Sequence, residues 1–463
     1  MKQLKKLYFT LTSTRAGGVY ILLFAFLIGL ATFVENDFGT STAQKLIFKT
    51  HWFEGLLFLF GLSIFQNIFT FRMIQRRKWF MFLFHAAILI ILLGAAITRY
   101  TGTEGSMHIR EQDSSNIIQS RESYLNFKVE NQGKRYEFHL PVLFASIGNN
   151  HYYKKYMLGN LPFEVEVTGF VPNPAEELQE DPEGSPVLWL VRAGRNGREN
   201  YFLPWKSSKE IGNMQFSFGA PSPSDAVQFD YKNDTLFFRS SGTYTRMTMA
   251  TRALDTVYPN IWYPAKLRSL HSGNGVNFVI KDFNTKAKIH QYSEGKKLNG
   301  TDPGAVSLKI TTPNGSKELT VIGAASYNGT PAISAIGPLN FSVNYGPRSI
   351  VLPFSLALTD FRLKKYPGTE RPASYESDVI LIDPRKNTKK PYSIYMNHIL
   401  DYDGYRFFQS SYDQDELGTI LSVNHDWWGT WVTYIGYILF TIGLLAMFFT
   451  GVSRFSKLSK QID

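Results

Sequence analysis

The chain contains no cysteine among its 463 residues. It therefore has no disulfide framework, no zinc–thiolate site and no thiol redox chemistry of its own, and any thiols it works beside belong to partners. The sequence also lacks a G-x-S-x-G motif, a Walker loop and a G-x-G-x-x-G in a βαβ frame. The histidines of the polar part show neither H-x-H nor H-E-x-x-H spacing, and nothing there resembles a catalytic centre. These histidines are His108, His139, His151, His271, His290 and His398.

The sequence also has no excess of acidic residues, and its formal net charge is +11. A basic balance can indicate nucleic-acid binding, but here the basic residues nearest the apolar segments lie where membrane topology places them. We therefore expect no nucleic-acid partner. We also expect no cleavable signal peptide, because the apolar run after the basic residues 1–15 is too long for a signal sequence.

Four apolar runs are long enough to cross a bilayer, at about 17–34, 52–71, 79–98 and 431–450. Lys and Arg flank the N-terminus, the short loop before the third run, and the C-terminus, and such short basic loops stay in the cytoplasm. The prediction is three spans within residues 1–99, an extracytoplasmic region over 100–430, and a fourth span with a short cytoplasmic tail over 431–463.

The extracytoplasmic region has a β pattern. Residues 305–312 and 317–322 alternate in polarity around Pro-Asn-Gly-Ser, which predicts a hairpin. Residues 163–169 and 187–191 are typical of strands, whereas 171–186 and 219–225 are rich in Pro or in turn formers and are predicted as loops. Asn-Gly pairs predict further tight turns; they begin at Asn196, Asn299, Asn314 and Asn328. The fold class is an integral membrane protein with four transmembrane α-helices (3+1) and a large antiparallel β-rich extracytoplasmic domain.

The third span carries a single ionisable side chain, His85. It lies six residues after Trp79, about 9 Å along a helix from an interfacial aromatic residue. An ionisable group at that depth predicts a functional site. Two interpretations stay open on the residues alone: a histidine that hydrogen-bonds a neighbouring helix, or a ligand of haem or another metal. No second histidine lies within a span, so a six-coordinate haem at this position would need a partner subunit.

Two further histidines lie near the predicted outer face, His51 beside Trp52 and His425 before Trp427 and Trp428. We interpret them as interfacial polar residues next to aromatic belts. The alternative is that His51, His425 and the tryptophan pair contact haem or a partner at the outer face.

Three stretches of the sequence resemble the ResB (CcsB) family of cytochrome c biogenesis proteins. They are the glycine-containing exit of the third span from Ile97 to Ser106, the stretch from Tyr366 to Val379, and the stretch from Met396 to Asp413. The last contains Gly-Tyr-Arg-Phe-Phe-Gln-Ser-Ser-Tyr-Asp, which is similar to a specific signature of the family. The 3+1 arrangement of spans also matches, so the resemblance covers essentially the whole chain.

The resemblance implies a part in cytochrome c maturation in the bacterial cytoplasmic membrane. A ResC (CcsA) type partner would carry the tryptophan-rich haem-handling motif, and the pair would move haem outward and attach it to apocytochrome c at a C-x-x-C-H site. His85 matches the third-span histidine that ligates a transmembrane haem b in fused members, so the resemblance implies a haem shared with the partner. A thioredoxin-like reductant is a further implied partner.

Two departures from the family pattern are visible. The partner half is not in this chain and is expected to be a separate polypeptide. The Asp-Pro-Gly often found before the last span is here Asp426-Trp427-Trp428-Gly429, so the start of that helix can differ.

Two other classes of protein are alternatives to this function. A membrane receptor with a ligand-binding β domain is the main alternative, and the short residues 451–463 leave no room for a signalling domain. A b-type electron carrier normally places paired histidines on its own spans, whereas this chain has one.

Overall fold

The computed structural model describes residues 2–159, 161–194 and 197–449. Three predicted features lie outside these residues: the C-terminal tail, the end of the fourth span at Thr450, and Asn196 of one predicted turn.

The described residues form six α-helices. They are α1 (Lys2–Leu11), α2 (Thr14–Phe38), α3 (Thr40–Ala43), α4 (His51–Thr70), α5 (Trp79–Thr101) and α6 (Trp427–Phe449). Four of them, α2, α4, α5 and α6, are long and apolar enough to cross a membrane, which confirms the four predicted helices. A π-helical turn, Gln44–Phe48, joins α3 to the loop before α4. The helix α2 begins earlier than predicted because Ser13 caps it, its hydroxyl accepting the N–H of Ala16.

The strands occupy most of the remaining described chain. The first group is β1 (Thr103–Arg110), β2 (Ser114–Asn131), β3 (Lys134–Val142), β4 (Tyr153–Leu158), β5 (Leu161–Pro172), β6 (Pro174–Gly194), β7 (Gly197–Pro204), β8 (Ser207–Ile211), β9 (Met214–Phe218), β10 (Val227–Lys232), β11 (Thr235–Arg239) and β12 (Tyr244–Thr248). The second group is β13 (Leu254–Val257), β14 (Tyr263–Pro264), β15 (Ser269–Gly273), β16 (Val276–Ser293), β17 (Gly304–Thr312), β18 (Gly315–Gly323), β19 (Ala332–Ile336), β20 (Leu339–Lys365), β21 (Pro372–Asp383), β22 (Thr388–Tyr395), β23 (Leu400–Tyr402), β24 (Tyr405–Tyr412) and β25 (Gly418–His425).

The chain divides into two compact units. Unit 1 comprises Met1–Asn173 and Gly295–Asp463, and unit 2 is Pro174–Glu294. Unit 2 is thus an insertion between two consecutive parts of unit 1. This division was not predicted: the sequence suggested a single β-rich domain over residues 100–430.

Unit 1 is built around one large antiparallel sheet, which we call the central sheet. Its strand order is β22-β21-β20-β2-β1-β25-β24-β23, with β19 on β20 and β3 on β2. A second sheet, β18-β17-β5-β4, packs on the half formed by β2, β3, β19 and β20 around a core that includes Phe127, Phe163 and Phe341. The other half of the central sheet encloses its own core around Met107, Leu356 and Phe407. The predicted hairpin is confirmed as β17 and β18, which pair from their turn residues outward.

Unit 2 contains two sheets, β14-β11-β10-β9-β8 and β13-β12-β15-β16-β6-β7, around an aromatic core. All pairs are antiparallel except β9 with β10. The predicted loop over 219–225 is confirmed between these two strands, but the one over 171–186 is wrong. Most of that stretch belongs to β6, which pairs with β16 along much of the length of both strands. Proline and acidic residues are tolerated there because this part of β6 has a partner on one side only.

Candidate functional site

The helices α5 and α6 pack closely along a seam of glycines. Gly429, Gly436 and Gly443 recur at seven-residue intervals on α6. A Cβ atom added at Gly436 would lie 2.7 Å from Cγ1 of Ile91, and one at Gly443 would lie 2.9 Å from the backbone nitrogen of Phe84. Small residues let helix backbones approach in this way in membranes. The seven-residue glycine spacing is the sequence signal of this seam, which was not among the predicted features.

The same two helices run directly into the central sheet. Gly102 alone separates α5 from β1, Asp426 alone separates β25 from α6, and Thr103 pairs with His425 where the two strands begin and end. Asp426 is buried and accepts hydrogen bonds from the hydroxyl of Thr98 and from the N–H of Gly429, 3.1 Å away. It therefore caps α6 while joining it to α5. The stretch Asp426-Trp427-Trp428-Gly429 thus forms the start of α6.

His85 lies on the half-buried flank of α5, away from the glycine seam. It precedes Leu89 by four residues and Leu92 by seven, so the three share one helical row. Leu89 and Leu92 approach Gly61, which places this row toward α4. His85 is thus positioned beside the α4–α5 contact.

The imidazole of His85 has a defined orientation. Its Nδ1 lies 2.8 Å from the carbonyl oxygen of Met81, one helical turn earlier. A carbonyl can only accept, so Nδ1–H donates and Nε2 carries the lone pair of the neutral ring. No other hydrogen bond of this ring is found among the described residues. Metal-ligating histidines typically have this arrangement, in which one ring nitrogen bonds a carbonyl and the other is available to the metal.

At the end of the spans that faces the sheets, which we call the outer end, His51 belongs to an ion network. Its Nδ1 lies 2.9 Å from Glu54, and Glu54 lies 2.6 Å from Arg99 of α5. Arg99 also donates to the carbonyl of Phe48 over 2.7 Å. The imidazole of His51 itself is 99% exposed, so the network leaves it accessible.

His425 is held at the same end by stacking on Tyr405, with ring centroids 4.1 Å apart and planes 22° apart. Gly404 has a φ of +82° and lies so close to this ring that a Cβ atom would be 3.2 Å from Nε2. Glycine therefore makes room for the imidazole and supplies the backbone conformation. Trp427 and Trp428 are exposed and contact each other edge to face at 4.6 Å, as expected for interfacial aromatic residues.

The structure separates His85 from these outer residues. Arg99 and Thr98, which contact the neighbours of His51 and His425, lie 13 or 14 residues along α5 from His85. That separation corresponds to about 20 Å along the helix. There are accordingly two candidate sites, one at His85 and one at the outer end. No group of three or more His, Cys, Asp or Glu side chains that could hold a metal ion is found in the described part of the chain.

Residues of the signature motif, in β24 and directly after it, form side-chain hydrogen bonds with neighbouring strands of the central sheet. Gln409, Ser377 and Thr419 form a closed hydrogen-bonded network, with distances of 2.7–2.9 Å, and the latter two are fully buried. Asp413 accepts from His108 and Arg110. Burial would raise the pKa of Asp413, but these two bonds outweigh it and lower the pKa below its ordinary value. The motif that carries the resemblance therefore positions β24 against β21, β25 and β1.

Together these features define a class of protein: four helices suited to span a bilayer, two of which continue without a loop into an antiparallel sheet. The ResB-like family model matches residues 75–146 and 325–425. These ranges contain α5 and every strand of the central sheet, and they exclude unit 2. Over α5 and the central sheet the chain is therefore similar to the ResB-like family.

A relative with a similar sequence is Protein NrfI of Wolinella succinogenes. The two are 28% identical over 460 residues, which is 98% of this chain and 36% of that protein. The chain thus spans about a third of the length of this relative.

Proposed function

We propose that this protein is a haem-handling subunit for cytochrome c biogenesis. With a ResC/CcsA-type membrane partner it would pass haem outward and support its covalent attachment to apocytochrome c at a C-x-x-C-H site. The spans would lie in the bacterial cytoplasmic membrane, with both termini in the cytoplasm and residues 100–430 outside. The family match over α5 and the central sheet supports this function over a ligand-sensing receptor.

The observation that carries the proposal is the orientation of His85. Haem supplies an iron whose axial positions accept neutral imidazole nitrogens. The bond from Nδ1–H to Met81 holds His85 in the tautomer that leaves Nε2 available. His85 would provide one axial ligand to a haem b, and the partner would provide the other.

The outer end would serve the later step of the same process. His51 and His425 are held at the sheet-facing end of α4 and α6, beside the exposed Trp427 and Trp428. We propose that this group contacts haem or the partner at the outer face. The absence of cysteine fits this role, because the subunit cannot trap the acceptor's thiols in mixed disulfides and a separate thioredoxin-like protein would keep them reduced.

The test is the visible spectrum of the protein purified with its partner. A bis-histidine Soret band is expected for the wild type, with loss of most of that band in His85→Ala and partial recovery on adding imidazole. The matched control is His290→Ala, an exposed histidine of unit 2, which should keep the full band. Full haem retention by His85→Ala would refute the ligand role.

A further inference from the structure

The N-terminal helix α1 has an apolar face that packs on none of the described residues, and a basic face opposite. Leu4, Leu7 and Leu11 share one face by helical spacing, and their side chains are 72%, 56% and 38% exposed. Lys2, Lys5 and Lys6 lie on the opposite face. No residue of α1 is buried. A short helix with this arrangement is typical of helices that lie in a membrane interface.

Contacts with α4 place α1 at the depth of an interface. The helix is interrupted between α1 and α2, at Thr12 and Ser13. There the buried hydroxyl of Ser63 donates to the carbonyl of Ser13 over 3.1 Å. The hydroxyl of Tyr8 donates to Gln66 over 2.9 Å. Ser63 and Gln66 lie four to seven residues before the end of α4 at Thr70, which is about 6–10 Å inside that end. The flank of α1 that carries Tyr8 therefore faces the spans.

In the part of the chain that the structure describes, the charged side chains at the end of the spans where α1 lies are basic. The cations there are Lys2, Lys5, Lys6, Arg15, Arg72, Arg76, Arg77 and Lys78. No Asp or Glu occurs in residues 1–34 or 55–103. The loop between α4 and α5 keeps Arg72, Arg76 and Arg77 exposed, anchored by the buried Met73. Such a surface complements the phosphates of an anionic leaflet.

We propose that α1 is an interfacial helix whose leucines insert between lipid tails while its lysines bind anionic phospholipid headgroups. The occupant of the apolar face is lipid rather than another protein, because the face lies beside the last turns of a span and the charged side chains described around it are cations. The inference is independent of the role in cytochrome c biogenesis.

The orientation of α1 can be measured because the chain has no cysteine. Single cysteines carrying a spin label are introduced at Leu4, Leu7, Lys2 and Lys6 in the full-length protein in vesicles of phosphatidylcholine and phosphatidylglycerol. Oxygen should relax the two leucine-site labels more strongly, and a water-soluble nickel chelate should relax the two lysine-site labels more strongly. Uniform access of the nickel chelate to all four sites, or exclusion of both reagents from the leucine sites as in a protein interface, would overturn the proposal.

The charge requirement is tested with a fluorophore on Leu7→Cys and brominated lipids as quenchers. Brominated phosphatidylglycerol should quench more than brominated phosphatidylcholine. The attraction of one lysine to an anionic surface corresponds to about a fivefold local enrichment of anionic lipid. The triple variant Lys2→Gln/Lys5→Gln/Lys6→Gln should therefore reduce the preference for brominated phosphatidylglycerol by at least that factor. The control Lys389→Gln/Lys390→Gln changes exposed lysines of β22 and should retain the preference. Equal quenching by both lipids in the unsubstituted Leu7→Cys protein would refute the headgroup assignment.

Discussion

Single histidines in this protein differ mainly in what their ring nitrogens contact. His85 donates Nδ1–H to a backbone carbonyl, whereas the exposed His108 and His151 direct Nε2 at carboxylates. An Nε2 already bonded to a carboxylate is a poor candidate for an axial ligand, because the lone pair must be free. His271 resembles His85 in its bond to a carbonyl, at 3.2 Å, but it is fully buried among phenylalanines. Accessibility thus separates a candidate ligand from a structural histidine.

The buried His271 should make unit 2 sensitive to acid. Burial lowers the pKa of His271 to about 4, whereas in the unfolded chain the pKa is near its ordinary value of 6.5. Between these values the unfolded state binds a proton that the folded state does not, so stability is full above pH 6.5 and falls as the pH drops toward 4. The loss is expected to approach about 3 kcal/mol at the lower limit.

The loss of stability is measured by pulse proteolysis of the full-length protein between pH 7 and 4, with cleavage within residues 174–294 as the readout. His271→Leu should show a much flatter dependence on pH, because the group that takes up the proton is gone. His290→Leu, at an exposed position, is the control and should behave as the wild type. An unchanged pH dependence in His271→Leu would assign the effect to other groups.

Asp426 offers a second prediction for one side chain. Asp426→Ala removes the acceptor of the Gly429 N–H and the link to Thr98, which should destabilise the start of α6 by about 1–2 kcal/mol. Asp426→Asn keeps a capping oxygen and should retain most of that stability. Hydrogen exchange at the amides of Gly429 and Thr430 reports the difference. Equal protection in the alanine and asparagine variants would contradict the capping role.

Among the helices, the glycine seam sets the distance between α5 and α6. Gly436→Leu should separate the pair, because even its Cβ would approach Ile91 more closely than packed atoms allow. Overpacking of this kind typically costs about 1–3 kcal/mol. Gly18→Leu on α2 is the matched control, since nothing lies within 4 Å of its added Cβ. Thermal unfolding in detergent should show a lower midpoint for Gly436→Leu alone, and equal midpoints would exclude the seam as a determinant of stability.

The strands show where local patterns predict structure and where they fail. The β17–β18 hairpin follows from alternation around a tight turn, and the structure confirms it. The acidic, proline-containing stretch after Asn173 has no such pattern, yet it forms the first part of β6. Its partner β16 lies about a hundred residues later, and the pairing of Ala175 with Tyr292 depends on where the intervening chain folds. No short window of sequence contains that information.

For the molecule as a whole, the structure distinguishes the part that the family model matches from an insertion. Asn173 donates its side-chain N–H to the carbonyl of Gly295 over 3.1 Å, so the two ends of unit 1 at the insertion are adjacent. Replacing residues 174–294 by a short Gly-Ser linker should therefore leave unit 1 folded. Size-exclusion chromatography and circular dichroism of the full chain and the deletion check this expectation. Aggregation of the deletion, with normal behaviour of a Gly-Ser insertion at the same point, would show that unit 1 needs unit 2.

The composition and order of residues specify the four membrane-length helices, the β class of the region between them and the isolated position of His85, because each depends on neighbours within one or two turns of chain. Long-range packing specifies the central sheet, the passage of α5 and α6 into β1 and β25, and the separation of His85 from His51 and His425. Those features depend on contacts such as Thr98 with Asp426, which join residues 328 positions apart. Hydrogen bonding and close packing select such pairs only when the whole chain has folded.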